Sequence, residues 1–147
     1  MKYLAVLLSI VCLSYLSQSA EKPVKNKSVA FQIRLKEKAI KPGGMNSLLV
    51  SLKPNEGIHI NLTPPISIKF DSSDAFKIDS ALVLPKNPKN AYLDASKNIE
   101  QLFTVSKSAK PGGHEIKGVL TYYFCSDAEG WCSKFKQPFE VTLKVSQ

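Results

Sequence analysis

Apolar residues recur at every second position in short runs, and proline or glycine cuts off each run. This pattern constrains the fold more than any other feature of the chain. Phe31, Ile33 and Leu35 alternate with Gln32, Arg34 and Lys36, the period at which successive strand side chains point to opposite faces. Lys41-Pro42-Gly43-Gly44 then turns the chain, because glycine and proline favour turns over regular elements. Leu48, Val50 and Leu52 alternate next, and Pro54-Asn55-Glu56-Gly57 ends that run. Ile58, Ile60 and Leu62 follow, with His59 and Asn61 on the opposite face, until Thr63-Pro64-Pro65 intervenes. Ile66, Ile68 and Phe70 alternate again, and residues 76–84 read as a further strand. Residues 85–99, with Pro85 and Pro88 and isolated Tyr92 and Leu93, read as an irregular loop. Extended structure resumes at 102–105, a second Lys-Pro-Gly-Gly turn lies at 110–113, and two strong strands are expected over 114–125 and 138–145. No segment sustains a helical stripe. Eight or nine short strands with turns roughly every 8–12 residues predict an all-β, antiparallel β-sandwich.

The first twenty residues break this pattern. Lys2 supplies a positive charge, residues 3–16 are uncharged and mostly apolar, and Ser17-Gln18-Ser19-Ala20 supplies small residues. That order is a secretory signal, and the apolar stretch falls short of the roughly 20 residues that span a bilayer. Residues 1–20 are therefore expected to be a signal peptide, 21–27 a basic leader carrying Lys22, Lys25 and Lys27, and 28–147 one folded domain. A periplasmic or secreted location follows, with no membrane span after cleavage.

The formal charge is +8, yet Arg34 is the one arginine and the lysines are dispersed. A nucleic-acid face favours clustered basic residues with interleaved aromatics, so no nucleic-acid partner is expected. Seven scattered glycines form no phosphate-binding loop, and no cofactor is expected. His59 and His114 stand 55 positions apart with no ligand spacing between them, so no metal site is expected either.

Signal cleavage removes Cys12 and leaves Cys125 and Cys132, separated by six residues between the last two predicted strands. Cross-strand positions flanking a hairpin tip lie close enough for a disulfide. Alternation puts Ile116, Leu120, Tyr122 and Phe124 on one face of their strand, and Val119, Thr121, Tyr123 and Cys125 on the other. The first set carries the larger aliphatic residues and is assigned to the core. Cys125 is then expected to point outward, within reach of a partner thiol. A disulfide in an exported domain is either a staple or a working group, and the residues alone leave both readings open: a thiol–disulfide exchange module, or a non-catalytic binding module with a hairpin clamp.

Gly57-Ile58-His59-Ile60-Asn61, a later proline-containing loop, and an aromatic-rich strand ending in Cys125-Ser126-Asp127 with Cys132 soon after resemble one family. It is the N-terminal periplasmic domain of the thiol:disulfide interchange protein DsbD, the disulfide bond corrector family. The resemblance covers roughly residues 28–146. It implies an immunoglobulin-like fold in which Cys125 and Cys132 carry reducing equivalents from a thioredoxin-like or membrane thiol–disulfide electron donor to periplasmic disulfide acceptor proteins. It further implies that Cys132 forms the mixed disulfide with partners and that Cys125 resolves it. Tyr92 matches an aromatic on a cap loop over the pair, and Tyr123, Asp127 and Trp131 are supporting candidates around it. The chain departs from the family in having one more residue between the cysteines than is usual, and Ser133-Lys134 instead of prolines after Cys132. With residue 147 as the last, the donor is expected to be a separate protein.

Overall fold

The computed structural model describes residues 25–79 and 81–147; the expected signal peptide and the start of the basic leader lie outside them. Nine strands form, and no helix occurs among the described residues. They are β1 (Val29–Leu35), β2 (Ala39–Ile40), β3 (Met45–Pro54), β4 (Ile58–Asn61), β5 (Ser67–Phe70), β6 (Phe76–Ile78), β7 (Ile99–Val105), β8 (Gly112–Ser126) and β9 (Trp131–Val145).

One sheet has the order β1-β3-β7-β6; the other runs β2-β9-β8-β4, with β5 also paired to β8. β4 and β5 pair with successive stretches of β8. They are one edge strand interrupted at Thr63-Pro64-Pro65, where two residues lack the N–H a ladder requires. All pairings are antiparallel except β2 with β9. Four strands facing a sheet centred on β8 and β9, with the chain passing from β1 in one sheet to β2 in the other, make an immunoglobulin-like sandwich.

The alternating apolar residues meet between the sheets. Leu48, Val50 and Leu52 of β3 and Ile99, Phe103 and Val105 of β7 face Ile116, Leu120 and Tyr122 of β8 and Leu143 and Val145 of β9, all essentially fully buried. Each such side chain contributes roughly 1.5–3 kcal/mol by leaving water. Gly118 marks the tightest approach: a Cβ there would lie 2.6 Å from the Lys69 carbonyl oxygen and 2.9 Å from Phe139.

Several strand boundaries differ from expectation: the strand expected from 102 starts at Ile99, and the one expected over 114–125 runs Gly112–Ser126. The strand expected over 76–84 ends at Ile78, and pairing with β7 resumes as a single bridge between Val83 and Glu100. The last strand starts at Trp131 instead of Pro138. Pro138 is tolerated within it because β2 pairs only with Lys144 and Val145, leaving β9 an edge strand at Pro138, where a missing N–H costs little. The end of the basic leader is tied down rather than free: the Asn26 side-chain amide donates to the Tyr122 hydroxyl at 3.0 Å.

Candidate functional site

The long β8–β9 hairpin ends in a four-residue tip, Asp127-Ala128-Glu129-Gly130. Gly130 adopts φ +70° there, a left-handed conformation that glycine enters without steric cost, and its N–H donates to the Ser126 carbonyl at 2.9 Å. This turn fixes the register that sets Cys125 directly opposite Cys132. Their Cα atoms are 4.1 Å apart and their sulfurs are bonded.

On the other side of β8, β4 pairs His59 with Cys125 and Asn61 with Tyr123. Directly opposed residues share a face. The face of this sheet turned away from the core therefore carries two adjacent rows: His59, Cys125 and Cys132, then Asn61, Tyr123 and Lys134. The Lys134 ammonium lies 5.7 Å from the centre of the Tyr123 ring. The Asn61 Nδ2 donates to Cys125 Sγ at 3.0 Å.

The segment read as an irregular loop covers this face. Asx turns shape it: the Asn87 side chain accepts from the Lys89 N–H and the Asn90 side chain from the Tyr92 N–H. Leu93 is buried and its N–H donates to the Ile60 carbonyl at 2.9 Å, which docks the loop on the open edge of β4. Tyr92 consequently stacks on His59, with ring centres 3.7 Å apart and planes 20° from parallel. Its hydroxyl donates to Asp127 Oδ2 at 3.3 Å, and the same carboxylate oxygen lies 3.4 Å from His59 Nδ1. Desolvation, reinforced by the charge and hydrogen bond of Asp127, holds the Tyr92 phenol above its usual pKa. Tyr92, His59 and Asp127 thus clasp the loop to the hairpin tip beside the disulfide.

This cover corrects one expectation. Cys125 does project from the face opposite the core, yet it is 4% exposed. Alternation identifies which way a side chain points, but here the outward face is itself roofed by residues from β4 and the 85–94 segment. Cys132, one strand further from the roof, is exposed. The two cysteines of one bond therefore differ sharply in exposure.

Of the residues singled out from sequence, Cys125, Cys132, Tyr92, Tyr123 and Asp127 come together. Trp131 does not. It pairs with Ser126, one position further along the pleat, and so projects from the opposite face. Its ring meets Phe124 edge-to-face at 5.8 Å, and its Nε1 donates to the Glu129 carboxylate. It closes the end of the core. His59 and Asn61 were not among the site candidates, although their place on the polar face of a short strand was legible; what was not legible was that β4 pairs with β8 at Cys125. Among the described residues, no group of three or more His, Cys, Asp or Glu is arranged to hold a metal ion.

No family model matches the chain, and no curated protein matches it. Among solved structures the chain is similar to one titled "Crystal structure of yeast GGA1_GAE domain-P21". The identity is 14% and the TM-score 0.43, over 80% of this chain and 95% of that one.

Proposed function

We propose that this protein is a thiol–disulfide exchange module that passes reducing equivalents through Cys125 and Cys132. The observation that carries the reading is the unequal exposure of the two cysteines: Cys132 is exposed beside the hairpin tip, while Cys125 is 4% exposed, between Cys132 and the His59 on which Tyr92 stacks. Exchange proceeds by in-line attack of a thiolate on one sulfur, and the sulfur that is accessible is the one attacked. A partner thiolate meets Cys132 first. The partner–Cys132 bond forms, the Cys125–Cys132 bond breaks, and Cys125 takes the electron pair as a thiolate. The partner's second thiol then displaces Cys132, which leaves the partner oxidised and this protein a dithiol. Delivery to an acceptor disulfide runs the same steps in reverse, with Cys132 attacking and Cys125 resolving.

A second feature supports the reading. A disulfide that joins directly opposed residues of an already continuous ladder adds little that the ladder lacks. The resemblance to the DsbD N-terminal domain points the same way. It supplies the proposed setting: the periplasm, a thioredoxin-like or membrane thiol–disulfide donor, and periplasmic disulfide acceptors. No helix among the described residues is long and apolar enough to cross a membrane.

The test is equilibration with glutathione redox buffers, followed by trapping. The wild-type pair is expected to exchange with the buffer, and Cys125→Ser to retain a thioredoxin-like protein as a mixed disulfide through Cys132. A reduction potential below about −300 mV, with no mixed disulfide, assigns the bond to a hairpin clamp in a non-catalytic binding module.

A further inference from the structure

Asn61 is placed unlike any other polar residue of the site. Its Nδ2 lies 3.0 Å from Cys125 Sγ, while its Oδ1 is buried and accepts no hydrogen bond from any described residue. A buried amide normally satisfies both ends. Asn61 is paired with Tyr123 and His59 with Cys125, so the amide reaches this sulfur diagonally across the ladder. The chemistry of the sulfur accounts for the orientation. A disulfide sulfur has no proton and accepts weakly. With the bond intact, Nδ2 can meet the sulfur but Oδ1 has nothing to receive from it.

Reduction changes what the sulfur offers. A Cys125 thiolate is an anionic acceptor, and a charge-assisted hydrogen bond is roughly twice as strong as a neutral one. Burial strengthens it further, because little water competes. A Cys125 thiol carries an S–H donor instead, which a half-turn of the amide directs at Oδ1. In either protonation state the reduced sulfur uses this amide better than the disulfide does.

We propose that Asn61 is the residue that biases the cysteine pair toward the dithiol and stabilises the sulfur that departs. This deepens the exchange reading and rests on it for its biological role. When a thiolate attacks Cys132, negative charge develops on Cys125, 3.0 Å from an N–H already in place. A donor aimed in advance at developing charge lowers the barrier, because nothing need reorganise during the step. With dithiothreitol as reductant, its first thiolate bonds to Cys132 and Cys125 leaves with the electron pair. Its second thiolate then releases Cys132 and closes the oxidised ring. The two protons lost by dithiothreitol end on the two cysteines or in solvent.

The experiment compares wild type, Asn61→Leu and Asn61→Ala in dithiothreitol redox buffers, with folding of each oxidised protein checked by circular dichroism. Loss of the amide is expected to shift the equilibrium toward the disulfide by about tenfold, equivalent to about 30 mV for this two-electron couple, and to slow reduction. Tyr92→Ala provides the contrast. It removes the ring stacked on His59 and retains Asn61 itself, so it is expected to speed reduction and oxidation together and to leave the equilibrium in place. An Asn61 variant that folds with an unchanged equilibrium overturns the proposal, as does one that changes both rates in parallel. Should neither variant fold, the wild-type side-chain amide is followed by NMR. A downfield shift of the Nδ2 protons on reduction is expected, and an unchanged resonance overturns the proposal. Dithiothreitol reaches strongly reducing potentials, so this test reads out even if the pair ignores glutathione. Failure of the exchange reading and failure of the role of Asn61 therefore appear in different measurements.

Discussion

Cutting the Cys125–Cys132 bond should leave the sandwich folded. The bond closes a loop of eight residues, counting both cysteines. In the chain-entropy model, releasing a loop of that size from the unfolded ensemble lowers stability by at most about 2.5 kcal/mol. A domain of this size is typically stable by about 5–15 kcal/mol, so the reduced form keeps a positive margin. The structure gives reasons for the actual loss to fall below that ceiling. β8 and β9 pair along their whole length, so the strands stay together without the bond. The core residues Ile116, Leu120, Tyr122 and Leu143 lie on the opposite face from the sulfurs, so none of them loses a neighbour. At about 4 °C per kcal/mol for a chain of this length, reduction should lower Tm by no more than about 10 °C. The assay is thermal unfolding followed by circular dichroism, with oxidised protein, dithiothreitol-reduced protein and the Cys125→Ala/Cys132→Ala double variant compared. A reduced chain that has lost its β signal at 25 °C refutes the reasoning. A loss above about 5 kcal/mol in urea does the same, because the bond would then be supporting the core rather than riding on it.

Three further outcomes follow from the geometry. Tyr92→Ala removes a ring stack and a hydrogen bond to Asp127, both of which hold the cover down. If opening of the cover limits access, dithiothreitol should reduce the variant faster, and an unchanged stopped-flow rate would show that the loop does not gate the bond. Gly118→Ala drives a methyl group into the Lys69 carbonyl and the Phe139 ring and should cost about 1–3 kcal/mol as overpacking; a urea midpoint equal to wild type would contradict the close approach. The third concerns acid. Hydrogen bonds from Ser96 and then Lys97 hold the Asp94 carboxyl below its usual range, and Lys117 does the same for Glu115. A depressed folded-state value means stability that is present above the ordinary carboxylate range near about pH 4 and lost as pH falls through the folded value. The urea-midpoint gap between wild type and Asp94→Asn/Glu115→Gln should therefore narrow as pH falls below the ordinary carboxylate range near pH ~4, and a gap that does not narrow would assign it to packing.

The sequence alone carried the sandwich, because a strand writes its burial into every second residue. Leu48, Val50 and Leu52 recur at every second position and all three are buried, and Phe139, Leu143 and Val145 fall on the same period in the last strand and are buried too. The spacing of Cys125 and Cys132 between the last two strands likewise made the cross-strand bond legible, since it acts within a few residues. Alternation told that Cys125 leaves the core face. It could not tell that this second face is roofed, because the roof arrives from positions distant in sequence: His59 and Asn61 by pairing of β4 with β8, and Tyr92 by docking of a loop on the edge of β4. The same limit explains Trp131, whose neighbour in sequence is Cys132 but whose neighbour in space is Phe124. Local pattern encodes which way a side chain points; which surface it meets there depends on strand pairings between distant segments, and those are set when both sheets close over a common core.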